Sequence, residues 1–474
     1  MNAAPAVRRR RRRLFLGALA ALAVVAAASF LRARSTDLRA WPEPAPGIEP
    51  TEPARTADGV VDLVRETGIL KELPDPATAP VDAYRRFQSL GLAALSEADL
   101  AALDARLGDE EECLQLWIDM ICRTGFCAVS TPAEANAAAE WIGRCPEMTV
   151  LTAYAAVRGP TLCPDDLGGL DRWMLRTFTR GAGLLGYAAA LPNTMLLARE
   201  ALMHAADTDG CDATNRRIGS CIQEPNPARA IRGLRAAEDA IAPLADAVRD
   251  DWRVHRAAAR EFYASMEPSA TNGPSASTRW FVRRLGGTEE TTLAHVDALF
   301  SRLVANAALP YSPSGLAAGL PGWCLGKGRP PWTRDPAGAA LARNYLRHAG
   351  AAAAIPPSIR LELRAARIAV GLRVWRDAHG GEWPASLDPL LGGESPVLLP
   401  GDVADPFSPD GARLRYEREP DGSGWRLWSV GLDQVDGNGA VDAFHAEGAD
   451  VKSSDFVFSS RERELRAAAA PAAP

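Results

Sequence analysis

The sequence predicts a multidomain chain with an N-terminal transmembrane anchor, a mainly α-helical middle domain, and a C-terminal α+β domain made of one long helix and a small antiparallel sheet. Three observations predict this: an uncharged apolar segment behind an arginine run, a long region with apolar residues at helical spacing, and short alternating runs near the C-terminus. The chain has 474 residues, 47% of them hydrophobic and 24% charged, which is typical of globular domains and argues against disorder.

The N-terminal segment, residues 1–34, has the features of a membrane anchor. Arg8 to Arg13 form a run of six arginines, and the eighteen residues from Leu14 to Leu31 carry no charge. That length is just sufficient for a helix to cross a bilayer. Because more arginines precede the segment than follow it, we expect the N-terminus in the cytoplasm and the bulk of the chain outside it. This predicts a single-pass inner-membrane protein with an extracytoplasmic, periplasmic body.

Two alternatives change the anchor and leave the destination unchanged. Ala26 to Ala28, before Ser29, resemble a signal-peptide cleavage site, and Arg12 to Leu16 resemble the core of a twin-arginine export signal. In either case the N-terminal segment directs export, and only its retention in the mature protein differs.

The predicted export of the chain determines what its cysteines indicate. The chain has eight cysteines, an even number, which in an oxidising compartment predicts disulfides: Cys113, Cys122, Cys127, Cys145, Cys163, Cys211, Cys221 and Cys324. No pair has zinc-site spacing. Cys211 and Cys221 frame a turn-rich loop that a local bridge could close, and the other pairings stay open.

The charge pattern argues against nucleic acid as a partner. The formal net charge is −6. Beyond the N-terminus the arginines are scattered among acids along predicted helices, whereas a nucleic-acid-binding domain carries a net basic face or stripe.

Two regions follow the anchor. Residues 35–56 contain five prolines and no apolar periodicity, which predicts a semi-extended tether. Residues 57–350 show apolar spacing of 3.6 interrupted by Pro/Gly punctuation, which predicts the α-helical domain. One of its helices is predicted to begin at Ser96 as N-cap and to end before Gly108.

The C-terminal domain, residues 356–460, begins with the long helix. Ser358 is its predicted N-cap, and an apolar seam follows at spacings of three and four: Leu361, Ala365, Ile368, Leu372 and Trp375. Four arginines lie largely off this seam: Arg360, Arg364, Arg367 and Arg376. Three short alternating runs, residues 413–418, 425–431 and 455–459, predict the sheet. Residues 461–474 form an Ala/Pro-rich tail.

These pieces resemble the C-terminal domain of the type II secretion major pseudopilin. The resemblance covers about residues 358–460 and rests on an ordered set, "DPF", "LRY", "WSVGLD" and "DFVF", behind the helix end "IAVGLRVWRDAHGGEWPASLDPLL". The same module resembles the tail of a broad group of membrane-anchored bacterial proteins. The pseudopilin leader and its Thr-Leu-x-Glu run are absent here, so we do not expect processing by prepilin peptidase or packing as a pilus subunit.

The resemblance implies a calcium site in the loop between the last two runs. In the major pseudopilin that loop binds calcium through acids at its two ends, which correspond here to Asp433 and Asp455, with Ser454 in place of a neighbouring acid. The residues support the same interpretation: six acids lie between Asp433 and Asp455, and oxygen-rich side chains in a Gly-rich loop suit calcium. The predicted ligands are Asp433, Asp436, Asn438, Asp442 and Asp455. The alternative is a solvated acidic hairpin loop.

No catalytic residue is predicted. The GxGxxG match at residues 181–186 lacks a preceding strand, so helix packing explains it better than a dinucleotide site.

The first hypothesis is a non-enzymatic envelope protein whose C-terminal domain contacts a secretion or pilus-like apparatus. The alternative is an extracytoplasmic enzyme with its site in the helical domain, which clustering of His with Asp or Glu would favour.

Overall fold

The computed structural model describes residues 45–48, 81–90, 95–109, 148–152, 154–155, 227–266, 288–321, 335–392, 396–439 and 455–460, with a few single positions between 172 and 198. The predicted anchor, the eight cysteines and the Ala/Pro-rich tail lie outside the described residues. Within the described part, no helix has both the length and the apolar character needed to cross a membrane.

The described residues are mostly helical and end in a small sheet. The helices are α1 Val81–Leu90, α2 Glu97–Asp109, α3 Pro227–Asp239, α4 Leu244–Ser265, α5 Glu289–Ala307, α6 Pro336–Ala352, α7 Ile355–Ala378 and α8 Asp388–Leu391, with short 3₁₀ turns at Gly315–Ala317 and Pro400–Val403. The strands are β1 Arg415–Arg418, β2 Trp425–Ser429 and β3 Phe456–Ser459. The predicted combination of a helix-rich chain with a small antiparallel sheet near its C-terminus is confirmed.

The chain divides into two compact units. One comprises Met1–Glu49, His255–Leu303 and Ala317–His348, and the other comprises Pro50–Val254, Val304–Leu316 and Ala349–Pro474. The linear boundaries predicted for the helical and C-terminal domains are not tested by this division and remain predictions.

The first unit has an aromatic core. The rings of Phe300 and Tyr345 lie 4.7 Å apart, and the His255 ring packs 5.1 Å from Phe300 and 5.0 Å from Tyr345. Leu299 and Leu303 are buried on the same helix, α5. Aromatic packing at these distances stabilises beyond the burial of apolar area alone.

In the second unit, α2 begins as the sequence predicts. The Asp99 amide donates to the Ser96 hydroxyl at 3.1 Å, and the Ser96 amide donates to the Asp99 carboxylate at 3.2 Å, a reciprocal cap. The predicted end is wrong, because the helix continues through Gly108 to Asp109. A helix tolerates a glycine near its end at modest cost.

Helix α7 is the long buried helix of the second unit, and it packs along α3. It begins at Ile355 with Pro356 and Pro357 in its first turn, where proline needs no amide donor. The predicted N-cap role of Ser358 is therefore wrong: its hydroxyl donates to the Ala354 carbonyl at 2.8 Å from inside the first turn.

The predicted apolar seam of α7 is largely confirmed. Leu361, Ala365, Ile368 and Leu372 are buried, and Trp375 is half-buried. The helix also buries a second face, on which Arg367 is 1% exposed. Burial around most of its circumference makes α7 a central helix and not a surface one.

The sheet has the order β1-β2-β3 with antiparallel pairing throughout. Tyr416 of β1 stands opposite Leu427 of β2, which stands opposite Phe458 of β3. Trp425 and Leu427 of the central strand are fully buried. The three predicted strands are confirmed. The segment with the six acids, residues 433–455, lies between β2 and β3 and is called the acid-rich loop.

Candidate functional site

Asp405 fixes the start of the acid-rich loop. Its buried carboxylate accepts hydrogen bonds from the Ser429 hydroxyl at 2.7 Å, the Val430 amide at 3.0 Å and the Phe407 amide at 3.0 Å. Arg415 Nη1 lies 3.3 Å from the same carboxylate. The "DPF" segment is therefore clamped to the end of β2, immediately before the first predicted calcium ligand.

The next residues of the loop bind the 304–316 segment. Gln434, at φ +63°, donates from its side-chain amide to the carbonyl oxygens of Phe407 at 2.8 Å and Tyr311 at 3.2 Å. The Tyr311 hydroxyl donates to the Leu432 carbonyl at 3.0 Å. Directional hydrogen bonds therefore hold both neighbours of Asp433, Leu432 and Gln434, and they limit the positions that Asp433 can adopt.

Asp455 closes the loop at its other end. Its side chain is buried at 3% exposure and accepts the amides of Gly439 at 2.7 Å and Gly437 at 3.2 Å. A Cβ at Gly437 would lie 2.9 Å from Asp455 Oδ2, so the close approach requires glycine there. The residue just before β3 is thereby tied to the middle of the loop.

Asp436 and Asp433 lie between these two ends. Asp436 accepts from Trp428 Nε1 at 3.1 Å, Arg415 Nε at 3.0 Å and the Asn438 amide at 2.9 Å. Asp433 Oδ1 accepts the Val435 amide at 3.0 Å.

The loop carboxylates differ in how well their charge is balanced. Burial raises the pKa of Asp455, and the nearby Asp436 and Asp433 carboxylates raise it further, so the two Gly amides do not offset the cost of its charge. At Asp436 burial also opposes ionisation, but the hydrogen bonds from Trp428, Asn438 and Arg415 hold the pKa below its ordinary value. Ionisation is therefore disfavoured at Asp455 and favoured at Asp436.

The predicted calcium ligands are brought together only in part. Asp433, Asp436 and Asp455 lie close enough for their charges to interact, while Asn438 is exposed at φ +56° and Asp442 lies outside the described residues. In the described part of the chain, no group of three or more His, Cys, Asp or Glu side chains is arranged to hold a metal ion.

The loop supplies the oxygen ligands that a hard cation prefers, although its described side chains are not arranged around one point. Its donors are all oxygens, and Asp433 and Asp455 each keep lone pairs beyond their amide hydrogen bonds. Asp436 fits less well, because Arg415 already supplies its positive partner.

A buried ion-pair network lies between α3 and α7, and the sequence did not predict it. Glu238 accepts from Arg364 Nε at 3.0 Å and from Arg367 Nη2, and Arg367 Nε lies 3.1 Å from Asp402. Asp402 also pairs with Arg235 Nη2 at 2.5 Å. The arginines are visible in sequence, but their acidic partners lie tens to more than a hundred residues away, so local spacing gives no signal.

The first unit contains a second buried polar cluster, centred on Asp335. Its fully buried carboxylate accepts the Thr292 hydroxyl at 2.7 Å and the Gly338 amide at 2.8 Å, and it lies 3.0 Å from His295 Nδ1. The Tyr263 hydroxyl lies 2.8 Å from the Thr292 hydroxyl. Asp335 thus caps α6 and joins it to α4 and α5. It also forms a His–Asp pair with His295 that no sequence motif predicts.

Comparisons of the chain with protein-family models, with curated proteins and with solved structures give no match.

Proposed function

We propose that this chain is a membrane-anchored extracytoplasmic protein whose pseudopilin-like C-terminal domain binds calcium and contacts a component of a secretion or pilus-like apparatus. The observation that carries the proposal is the state of Asp455, a buried carboxylate whose pKa is raised by burial and by two neighbouring acids. A calcium ion would neutralise this charge, and it takes about six to eight oxygen ligands, which flexible Asp- and Asn-rich loops provide.

Asp433 and Asp455 are the principal ligands in this proposal. Asp436 contributes less, since Arg415 competes for its carboxylate. Asn438 and Asp442 would complete the oxygen set from the exposed part of the loop. The donors belong to the span that joins β2 to β3, so calcium would hold the two strands in register.

The calcium proposal is tested by melting the full chain in detergent, in calcium and in chelator. A ligand that binds only the folded state, at about 100 times its Kd, stabilises by about 2.7 kcal/mol. We expect a higher melting temperature in calcium, and we expect Asp433→Asn and Asp455→Asn to abolish the difference. Equilibrium dialysis of radioactive calcium on the folded Asp433→Asn protein separates lost binding from lost folding.

Glu382→Gln is the matched control for these variants. Glu382 is an exposed acid of the same domain, 4.0 Å from its nearest cationic partner and outside the loop. The Glu382→Gln variant should keep the same difference in melting temperature between calcium and chelator as the wild type. Identical melts of the wild type in calcium and chelator would remove calcium from the proposal.

The partner is tested by crosslinking in the native envelope. Among the described residues of the C-terminal domain, the exposed large apolar side chains are Leu399 and Val435, which do not form a broad apolar face. Recognition would therefore rest mainly on polar contacts. We expect secretion or pilus components to be enriched with the full chain over an anchor-only control, and equal recovery from both would contradict this assignment.

An extracytoplasmic enzyme is the second candidate, and the His295–Asp335 pair favours it. A carboxylate on Nδ1 orients an imidazole for general base catalysis. The cap that Asp335 provides to α6 explains the same pair structurally. Hydrolysis of chromogenic esters by the full chain, lost in His295→Asn without a change in melting temperature, would support the enzyme. No hydrolysis above the buffer rate would give no support to an esterase.

A further inference from the structure

A cavity of about 520 Å³ lies in the second unit, and none of the loop carboxylates lines it. Its walls come from the start of α4, from residues 306–316 and from the first turns of α7. Cavities of roughly 300–1,000 Å³ are the usual size for small-molecule sites.

The apolar walls of the cavity are unusually rich in proline. Leu309 and Leu316 contribute, as do five prolines: Pro243, Pro310, Pro356, Pro357 and Pro406. Proline fixes its own φ angle, so these walls are preformed. A ligand that packs against them orders little chain on binding, which reduces the entropic cost of association.

Two arginines supply the charge of the cavity, and no Asp or Glu lines it. Arg364 is already balanced, because Nε and Nη2 donate to Glu238 at 3.0 and 2.5 Å and Nη1 donates to the Ala404 carbonyl at 2.7 Å. Arg360 is half-buried, and its guanidinium has no hydrogen-bonding or charged partner among the residues that the structure describes. One unbalanced positive charge therefore faces apolar walls.

We propose that this cavity binds a small organic monocarboxylate, with its carboxylate on Arg360 and its hydrocarbon body against the proline and leucine walls. The planar guanidinium matches a carboxylate through two parallel hydrogen bonds. A polyanion such as a nucleotide would need further cations and would leave its charges against the prolines. The site goes beyond the proposed function, since it shares no ligand with the calcium loop.

Isothermal titration of the full chain in detergent tests the proposal with hexanoate and benzoate as probes. Benzamide is the uncharged analogue of benzoate, and empty micelles correct for partitioning. We expect benzoate to bind at least about tenfold more tightly than benzamide, since a charge-assisted hydrogen bond is lost with the amide. Arg360→Gln should weaken benzoate binding by a similar factor, and Ala307→Leu, which fills the cavity, should weaken both acids.

Arg373→Gln is the matched control, because Arg373 lies on the same helix, pairs with Asp377 and does not line the cavity. It should bind benzoate like the wild type. A further arm compares the tripeptide Ala-Ala-Phe with its C-terminal amide, and tighter binding of the peptide acid than of benzoate would identify a chain terminus as the source of the carboxylate. Equal binding of acid and amide, equal binding by Arg360→Gln, or no binding of any acid would overturn the proposal.

Discussion

Arg367 carries a charge into the interior of the second unit, where its side chain is 1% exposed. It bridges Glu238 of α3 and Asp402 of the turn before the sheet. Removing one partner of a buried pair leaves charge uncompensated, at a cost of about 3–5 kcal/mol. We therefore expect Arg367→Leu to lower the free energy of unfolding by that order, measured by urea titration of the full chain with tryptophan fluorescence.

Arg373→Leu provides the comparison on the same helix. Arg373 pairs with the exposed Asp377 one turn on, a contact of the kind that contributes less than about 1 kcal/mol. A shift of the urea midpoint in Arg367→Leu no larger than in Arg373→Leu would show that the buried network adds little net stability.

Gly338 belongs to the same cluster as His295, because its amide donates to Asp335. A Cβ at this position would lie 2.1 Å from Asp335 Oδ2, inside the helix cap. Forced contacts in a packed interior cost about 1–3 kcal/mol. Gly338→Ala should lower the thermal midpoint of the full chain accordingly, whereas Gly401→Ala, with nothing within 4 Å of its Cβ, should leave it nearly unchanged. Equal midpoints for the two variants would contradict the contact.

Local sequence patterns predicted single residues well where the chemistry is local. The N-cap role of Ser96 was predictable because it depends on the next three residues, and so was the burial of Leu361 and most of the α7 seam. The burial of Arg367 was not, because its acidic partner Glu238 is 129 residues away. Ser358 was misassigned because the two prolines before it start the helix without a side-chain cap.

Helices α3 and α7 are joined by charges that titrate in acid. Burial opposes ionisation of Glu238, but hydrogen bonds from Arg364 and the charge of Arg367 hold its pKa below its ordinary value. Asp402 shows the same balance. Burial raises its pKa, but Arg235, the Leu399 amide and Arg367 together outweigh burial and hold the pKa below its ordinary value.

The sign of the pH effect follows from these lowered pKa values. The stability is fully present above the unfolded-state pKa of about 4 and is lost as pH falls through the lower folded-state value. We expect Glu238→Gln to be less stable than the wild type at neutral pH, with the gap closing below about pH 4. Melting curves across this range measure it, with Glu382→Gln as an exposed control that shows no such gap. A gap independent of pH would exclude this linkage.

The sheet was predictable as an element, and its loop was predictable only in composition. Alternating runs predicted all three strands, although their burial does not alternate, since all four residues of β3 are buried. The acids of the loop were visible, but Arg415 as the partner of Asp436 was not, since the pair joins β1 to a loop residue 21 positions further along the chain. The α3–α7 contact likewise depends on packing between distant segments.

At the scale of the whole molecule, the N-terminal segment bears on where the chain resides. The six arginines before an uncharged eighteen-residue segment favour a cytoplasmic N-terminus and an exported body. We expect protease added to spheroplasts to remove a C-terminal epitope tag from the full chain. Alkaline carbonate should leave the protein in the membrane if the segment is a retained anchor, and should release it if the segment is cleaved.

Replacing the arginine run, Arg8 to Arg13, by glutamines tests the physical cause of that topology. Because positive charge holds the leading end in the cytoplasm, the variant should show a protease-protected fraction of the tag that the wild type lacks. The control replaces Arg32, Arg34 and Arg39, behind the apolar segment, and should leave the tag fully accessible since it increases the charge difference across the segment. A tag protected in the wild type would place the body of the chain in the cytoplasm, and the expectation of disulfides among its eight cysteines would fall with it.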